Sequence, residues 1–365
     1  MNYLSSAAPE KLKGTAILRL DLNVEDDSRL KASLPTLEFL MKTSAKVVVL
    51  SHKGRPSGVD LSLSLRGAAE SVKKLLGKEV VFLPEFNFKQ IRSEVNSAPD
   101  GSIFLLENLR FLSGEETDDE SLAKELASLG NFYVNDAFAV SHRANASVRA
   151  ITKFLPSYAG LEFQKELENL RKVMENPERP FVLILGGAKA EEKLVIVEFL
   201  KDKVDAVLLG GVPANTLLKL KGTDVKESVV AENAESFRKF LDMPQIILPS
   251  DWKERDGKIS DIGDKTIREF SEKIKTAKTI VWNGPLGLTE NSFMRAGSEA
   301  IAAAIAGNMG AFSVVGGGET VSFIEEMGFS EKISFVSTGG GAMLEFLAGK
   351  KLPGIEALGH GPKND

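Results

Sequence analysis

Short apolar runs punctuate this chain, and longer stretches with helical spacing of apolar positions separate them. The runs include Thr15–Leu20, Lys46–Leu50, Ser102–Leu106 and Phe132–Val134 early on, then Phe181–Leu185, Val207–Leu209, Phe312–Val315 and Ile333–Val336. The helical stretches include Leu34–Lys42, Leu65–Leu76, Ser121–Leu129, Glu192–Leu200 and Gly297–Ala306. Alternation of this kind predicts βαβ units and an α/β fold with mostly parallel sheets flanked by helices. Lys46–Leu50 and Phe181–Leu185 are near-continuous apolar runs, as strands buried on both faces must be. The pattern predicts about five strands before residue 140 and about six after residue 180.

Between the two groups lies a break at Leu155–Gly160, followed by a charged helical stretch from Leu161 to about Glu175. Asn176-Pro177-Glu178-Arg179-Pro180 stops that helix. The expected layout is two domains joined by a long helix and a hinge. One covers residues 1–158 plus a C-terminal tail of about 350–365. The other covers 159–349 and includes the linking helix, about 161–175. Gly359-His360-Gly361-Pro362-Lys363 reads as tail.

The residues that close the runs differ between the halves. In the first half the runs lead into Asp21, Asn23 and Arg29, into His52 and Arg55, into Arg110, and into His142 and Arg143. In the second half they lead into Gly186-Gly187-Ala188-Lys189, Gly210-Gly211, Gly316-Gly317-Gly318-Glu319 and Ser337-Thr338-Gly339-Gly340-Gly341. Open parallel sheets bind ligands outside the carboxyl ends of their strands. One half is therefore suited to a small, highly charged anion, and the other to phosphates approached by backbone. Together they suggest a transferase that brings two phosphorylated partners face to face.

Composition narrows the classes. The chain has 365 residues, 43% hydrophobic and 27% charged, enough for about two domains. A formal net charge of -5 argues against general nucleic-acid binding. With no cysteine, disulfides, thiolate catalysis and Cys-ligated zinc are excluded, and three histidines leave little for a His-rich metal site. No apolar stretch reaches the roughly 18 residues of a membrane span, and the N-terminus carries no signal-like apolar core, so a soluble cytoplasmic protein is expected. Neither G-x-x-x-x-G-K-[ST] nor an intact G-x-G-x-x-G occurs, against a P-loop ATPase and a standard NAD site.

Each candidate has a plainer alternative. Glycines between strand and helix can cradle phosphate oxygens, or merely allow tight turns and close packing. Four such clusters at successive strand ends favour the cradle. Lys189 and Lys193, four apart at a helix start, would share a face and repel each other unless a polyphosphate lay between them. A solvated pair partly neutralised by Glu191 and Glu192 is the other possibility. Single arginines are usually solvated, but Arg29, Arg55, Arg110 and Arg143 at one sheet edge offer several planar forks for carboxylate and phosphate. Asp21 and Asn23 could bond a substrate hydroxyl. Glu290, soon after Trp282-Asn283-Gly284-Pro285-Leu286-Gly287, could grip a ribose or serve only as a helix N-terminal charge.

These segments, in their order from about Leu20 to Leu358, resemble the phosphoglycerate kinase family. The resemblance is carried by Asp21-Leu22-Asn23-Val24, Ser51-His52-Lys53-Gly54-Arg55-Pro56, Glu107-Asn108-Leu109-Arg110-Phe111, Asn135-Asp136-Ala137-Phe138, Gly186-Gly187-Ala188-Lys189 with Lys193, Trp282-Asn283-Gly284-Pro285 and Ser337-Thr338-Gly339-Gly340-Gly341. It implies two Rossmann-like domains that close about a hinge, in a monomer. It implies reversible transfer of a phosphoryl group from 1,3-bisphosphoglycerate to MgADP, giving 3-phosphoglycerate and MgATP. By matching position, Asp21, Asn23, Arg29, His52, Arg55, Arg110 and Arg143 hold the phosphoglycerate. Gly187, Lys189, Lys193, Gly210, Gly211, Asn283, Pro285, Gly287, Glu290, Gly316, Gly317, Gly318, Glu319 and Thr320 hold the nucleotide.

By the same resemblance, Gly339, Gly340 and Gly341 are expected to form a loop at the migrating group, with Arg29 and Lys189 on its oxygens and Lys193 toward the nucleotide phosphates. The resemblance makes Glu319 the metal-side carboxylate for Mg2+, where the family usually has Asp, and Glu192 likewise stands for Asp. Val212-Pro213 replaces a Gly-Met-like pair. The chemistry fits a chain so poor in bases. The attacking carboxylate is already ionised, since such acids titrate near pH ~4, and positioning with charge neutralisation does most of the work. A non-enzymatic anion-binding scaffold and an NAD-dependent oxidoreductase are the competing readings.

Overall fold

The computed structural model describes residues 1–23 and 27–359; Val24, Glu25, Asp26 and the tail from His360 onward lie outside them. The chain divides into two compact units, Met1–Leu167 with Lys351–Asp365, and Glu168–Lys350.

In the first unit the order is β1 (Thr15–Arg19), α1 (Ser28–Thr43), β2 (Lys46–Leu50), α2 (Arg66–Leu76), β3 (Val81–Leu83), α3 (Phe88–Ser97), β4 (Ile103–Leu106), α4 (Glu120–Ala127), β5 (Phe132–Asn135) and β6 (Ser157–Ala159). The strands form a six-stranded sheet ordered β3-β4-β2-β1-β5-β6, parallel at every pairing. Ala16, Leu18, Val47, Val49, Leu105 and Val134 project into one core shared with Leu30, Leu37 and Leu40 of α1 and Val72 of α2. Local chemistry sets the helix ends. The Asn87 side chain accepts from Gln90 N at the start of α3, and Asp119 accepts from Leu122 N at the start of α4. Gly77, at φ 63°, ends α2 in a left-handed cap that a Cβ would disfavour.

The helix α5 (Leu161–Glu175) leads toward the second unit. Next come β7 (Phe181–Leu185), α6 (Ala190–Leu200), β8 (Ala206–Leu209), α7 (Gly211–Leu220), β9 (Ile246–Ile247), β10 (Trp252–Arg255), β11 (Lys258–Ile262), α8 (Asp264–Thr276), β12 (Thr279–Asn283), α9 (Ala296–Gly307), β13 (Phe312–Gly316), α10 (Gly318–Glu326), β14 (Phe335–Val336) and α11 (Gly341–Leu347). Finally α12 (Pro353–Leu358) packs beside β6 in the first unit. The second unit holds a parallel six-stranded sheet, β14-β13-β12-β7-β8-β9, and an antiparallel hairpin of β10 and β11. Trp282, Ile184, Ile280, Val315, Phe270 and Ile301 lie in its core.

The predicted α/β class with two mostly parallel sheets is what the chain adopts. Several elements differ from the apolar pattern for a common reason. The stretch read as a break, Leu155–Gly160, contains β6, the sixth strand of the first sheet. The sheet edges β3, β6, β9 and β14 are short, and β3 and β9 are incompletely buried, so no long apolar run announces them. Strand structure in Ile333–Val336 is confined to Phe335–Val336. Helix α1 starts well before Leu34: Leu30 is buried in the same core and carries the apolar period into a first turn that is otherwise polar.

The first turn of α5 buries acid. Asp136 Oδ1 accepts the Phe163 amide at 3.0 Å, and burial raises its carboxyl to about 6. Glu162 is pushed up to about 8 by burial, with nearby Glu166 and Asp136 adding and Lys165 opposing. A carboxyl raised in the folded state stabilises fully below its ordinary value of 4.5, and that stability is lost as pH rises toward 8. Glu162→Gln should therefore lose less stability than the parent between pH 6 and 9. The difference should be on the order of a few kcal/mol, read from urea midpoints at the two pH values.

Candidate functional site

Sheet order decides where side chains can gather. In the first sheet β1 is flanked by β2 on one side and β5 on the other, so connections diverge from the β1/β5 carboxyl ends. In the second, β7 lies between β8 and β12 and creates the same situation. A crevice opens at such a switch point. Both sets of candidate residues lie beyond the carboxyl ends of these strands and their neighbours.

At the first switch point Asp21 leaves β1 buried and is hydrogen-bonded by Arg29 Nη1 from the start of α1. The other Asp21 oxygen accepts the Asn23 amide at 3.0 Å. Asn23 Oδ1 in turn accepts Gly54 N at 2.7 Å, tying the loop after β1 to the loop after β2. That second loop carries buried His52 and, farther along, Arg55. Arg110, in a short helical turn after β4, is buried, donates to the Gly54 carbonyl and lies 3.2 Å from Glu116. Burial first, then Arg143, lowers the Arg110 pKa. Arg143 Nε donates to His142 Nε2 at 3.2 Å.

His52 is the centre of this group. Burial holds its pKa well below the usual 6.5, and Arg19, Arg110, Arg143 and Arg29 push in the same direction. The structure thus gathers Asp21, Asn23, Arg29, His52, Arg110 and Arg143, with Arg55 exposed on the adjoining loop. Arg19, the last residue of β1, escapes a reading of the sequence because it sits inside an apolar run. Its buried guanidinium is a further cation of the group.

At the second switch point three loops interlock. Gly187 N donates to the Pro285 carbonyl at 2.7 Å, and Val212 N donates to the Gly187 carbonyl at 3.0 Å. A Cβ on Gly186 would stand 2.1 Å from the Pro285 carbonyl oxygen, and one on Gly284 would stand 2.3 Å from the Gly186 oxygen. These glycines let the ends of β7 and β12 touch. Gly316 is likewise a packing glycine, since a Cβ there would stand 2.1 Å from the Met343 sulfur, whereas Gly318 opens onto free space. Asn283 Nδ2 donates to the Gly316 carbonyl at 2.9 Å, and Thr320 Oγ1 accepts Gly284 N at 2.8 Å. Asn283 and Thr320 therefore clasp the loops of β12 and β13 together. Gly339, Gly340 and Gly341 come after β14 and lead into α11, which packs on α6.

The two lysines do not stack on one helical face. Lys189 is the residue before α6, with non-helical φ -109° and ψ 88°, and its exposed Nζ bonds Glu192 at 2.9 Å. Lys193 is helical and buried, with Nζ 3.2 Å from where a Gly187 Cβ would be. Burial lowers its pKa and the Lys189 ammonium adds to that, while Glu192 and Glu319 oppose it. The helix begins one residue later than the spacing assumes, so Lys189 precedes it and only Lys193 belongs to its face.

Beside these loops lies a cleft of about 370 Å³ lined by Gly187, Gly211, Pro285, Gly287, Glu290 and Glu319. Val212, Asn215, Val229 and the hairpin residues Lys258 to Asp261 also line it. The hairpin contribution has no sequence signal, since no apolar run of its length marks it. Asp261 accepts the amides of Ile262 at 2.9 Å and Gly297 at 2.8 Å, and burial raises its carboxyl to about 6. Among the described residues no group of three or more His, Cys, Asp or Glu side chains converges as a metal cage.

A guanidinium cluster at one parallel-sheet switch point and a glycine-lined cleft at another are the equipment of a phosphotransferase. The family model for phosphoglycerate kinase matches residues 15–350. A phosphoglycerate kinase of Dictyoglomus turgidum is 41% identical, with 96% of each chain covered. A cytosolic one of Triticum aestivum is 39% identical, over 95% of this chain and 96% of that one. The solved phosphoglycerate kinase of Pyrococcus horikoshii superposes with a TM-score of 0.87 at 31% identity, and that of Coxiella burnetii with 0.84 at 32%, each covering 98% of both chains. The chain belongs to the phosphoglycerate kinase family, whose enzymes reversibly transfer a phosphoryl group from 1,3-bisphosphoglycerate to MgADP.

The interlocked glycines make a prediction for nucleotide binding. Gly186→Ala must push the loop of β12 away by on the order of 1 Å, a displacement that can cost about 10² in a positioned site. Calorimetric titration should show ATP affinity falling by about that factor while the first unit's affinity for 3-phosphoglycerate is retained.

Proposed function

We propose that the first unit binds the phosphoglycerate through Arg29, His52, Arg55, Arg110 and Arg143, with Asp21 and Asn23 at its hydroxyl. The carrying observation is that Arg110, buried against the Gly54 carbonyl, stands with Arg29 and Arg143 around buried His52, with Arg55 on the adjoining loop. Such an array favours a ligand with several negative charges. Asp21 already engages Arg29, which orients that guanidinium before substrate arrives. Asn23 spends its carbonyl on Gly54, leaving its amide hydrogens for the ligand.

The second unit binds ATP or ADP. The base and ribose enter the cleft bounded by Gly211, Gly287 and Glu290, and the phosphates lie on Gly187, Gly317, Gly318 and the start of α10. Lys193 reaches the phosphates from its buried position. Lys189 exchanges Glu192 for the migrating phosphoryl oxygens, at little cost because an exposed ion pair contributes little. Asn283, Pro285, Gly210, Gly316 and Thr320 shape the cradle, and Gly339, Gly340 and Gly341 supply a further loop for the migrating group. Magnesium would be held by Glu319 and phosphate oxygens. This fits an ion that commonly takes one or two carboxylates with substrate phosphates rather than a protein cage. Bound there, it supplies charge neutralisation on the nucleotide.

In the ATP-consuming direction the 3-phosphoglycerate carboxylate attacks the γ-phosphorus in line and displaces ADP; the P–O bond to ADP breaks as the acyl phosphate bond forms. No proton has to be removed from the nucleophile. Turnover requires the ligands of the two units to meet with water excluded, which calls for domain closure. The working protein is a monomer in the cytoplasm, consistent with the cytosolic wheat relative. Among the described residues no helix is long and apolar enough to cross a membrane.

Arg29→Ala should lower turnover about 10²–10³-fold in an assay coupling acyl-phosphate formation to NADH oxidation, with the folded state retained but its urea midpoint lowered because buried Asp21 loses its partner. Near-normal turnover would remove Arg29 from the reacting centre. Small-angle scattering should show a smaller radius of gyration with both substrates bound than with either alone. An unchanged radius would refute closure.

A further inference from the structure

Arg19 belongs to none of the groups assigned above to a ligand, and its hydrogen bonds have a fixed direction. Its Nε donates to Ser147 Oγ at 2.8 Å, its Nη1 donates to the Leu20 carbonyl, and its Nη2 lies 3.2 Å from His52 Nδ1. Ser147 Oγ has one hydrogen and donates it to Glu115 Oε1 at 2.6 Å, so toward Arg19 it can only accept. Ser147 N donates to the other Glu115 oxygen at 3.0 Å, and Tyr133 Oη donates to the Ser147 carbonyl at 2.7 Å. Arg19 Nη2 and Glu115 Oε1 are 3.8 Å apart. Arg19, Glu115, Ser147, Tyr133 and His52 are all buried.

The direction of this chain decides the state of His52. A guanidinium has only donors, so Nδ1 must present its lone pair to Arg19. Nδ1 also lies 3.9 Å from Asp21 Oδ1, which would require a hydrogen on the same atom. Nδ1 cannot do both, and only the Arg19 contact is within hydrogen-bond distance. The ring hydrogen is then on Nε2.

We propose that Arg19 is a positioning residue: anchored through Ser147 and Glu115, it fixes His52 as the Nε2–H tautomer, a neutral donor to the phosphoglycerate. Burial and the surrounding Arg19, Arg110, Arg143 and Arg29 also disfavour a second proton on the ring. Asp21 is the nearby acid that would favour one, and it is already engaged by Arg29. The inference rests on the reading that His52 contacts phosphoglycerate, but its tautomer can be measured without that ligand.

The test is a long-range ¹H–¹⁵N imidazole spectrum of the full-length protein at pH 7, with the His52 signals assigned by their loss in His52→Gln. The expected result is an unprotonated Nδ1 and a protonated Nε2 in the free protein. A protonated Nδ1 or a doubly protonated ring overturns the proposal. Adding 3-phosphoglycerate should move the Nε2–H signal. The expected tautomer with no movement would leave Arg19's hold on the ring standing and refute the ligand contact.

Activity gives a second arm. His52→Gln can place an amide N–H near Nε2, whereas His52→Asn can replace only Nδ1. The glutamine variant should keep a KM for 3-phosphoglycerate about tenfold lower than the asparagine variant, as one hydrogen bond to a charged ligand implies. Equal losses in both variants would show that no Nε2 donor is used. Arg19→Lys keeps the charge and loses the fork; it should give mixed tautomers and a KM raised about ten- to a hundredfold. If that variant does not fold, the parent spectrum and the paired His52 variants still decide.

Discussion

Parallel pairing places the carboxyl ends of all the strands of a sheet along one edge, and both candidate sites depend on that constraint. In the first unit it brings residues far apart in sequence, Arg19, His52, Arg110 and Arg143, into one electrostatic neighbourhood. Like charges so close would repel, and the fold offsets this from behind. Glu115 lies near Arg19, Asp21 holds Arg29, and Glu116 lies beside Arg110. Asp21, hydrogen-bonded to Arg29, orients that guanidinium fork before any ligand arrives, and Glu115 and Glu116 offset charge nearby. Donors fixed in advance need no reorganisation when charge develops, and this is the main source of stabilisation in phosphoryl transfer.

In the second unit the same edge is built from backbone. Gly186, Gly284 and Gly211 are small because neighbouring loops touch there, not because a ligand must. Closeness to a phosphate and closeness between loops are separate demands on glycine, and the second is met here by loop contacts. Gly318 has open space before it, while Gly316 packs on Met343. Trp282 Nε1 donates to the Gly284 carbonyl at 2.9 Å, so the core residue of β12 also braces the loop. The cleft is shaped by these braces as much as by the residues that line it.

Much of this is legible in the chain itself. Apolar runs identify the central strands because parallel strands buried on both faces must be apolar throughout. Charged and glycine-rich run ends identify the two edges, because parallel strands all end on the same side. Edge strands and the β10–β11 hairpin are not legible, since a short, half-covered strand leaves no continuous run. The Lys189–Lys193 spacing misleads because the helix starts one residue later, leaving Lys189 exposed on Glu192 ahead of it and Lys193 buried within it. Arg19 is hidden by its position. A charged residue inside an apolar run looks like part of the strand, and only tertiary structure reveals Glu115 and Ser147 behind it.

The state of His52 connects the fold to the chemistry. A reaction whose nucleophile is already a carboxylate has no use for an imidazole base, so a buried histidine at this edge needs another role. A further positive charge among four guanidinium groups would be costly, and burial adds to that cost. A neutral ring gives the cluster a directed donor without adding to its repulsion. On the proposed reading the arginines supply charge and the histidine supplies orientation. The same segregation of roles accounts for Arg19, whose hydrogen bonds to His52, Ser147 and Leu20 all lie within the protein.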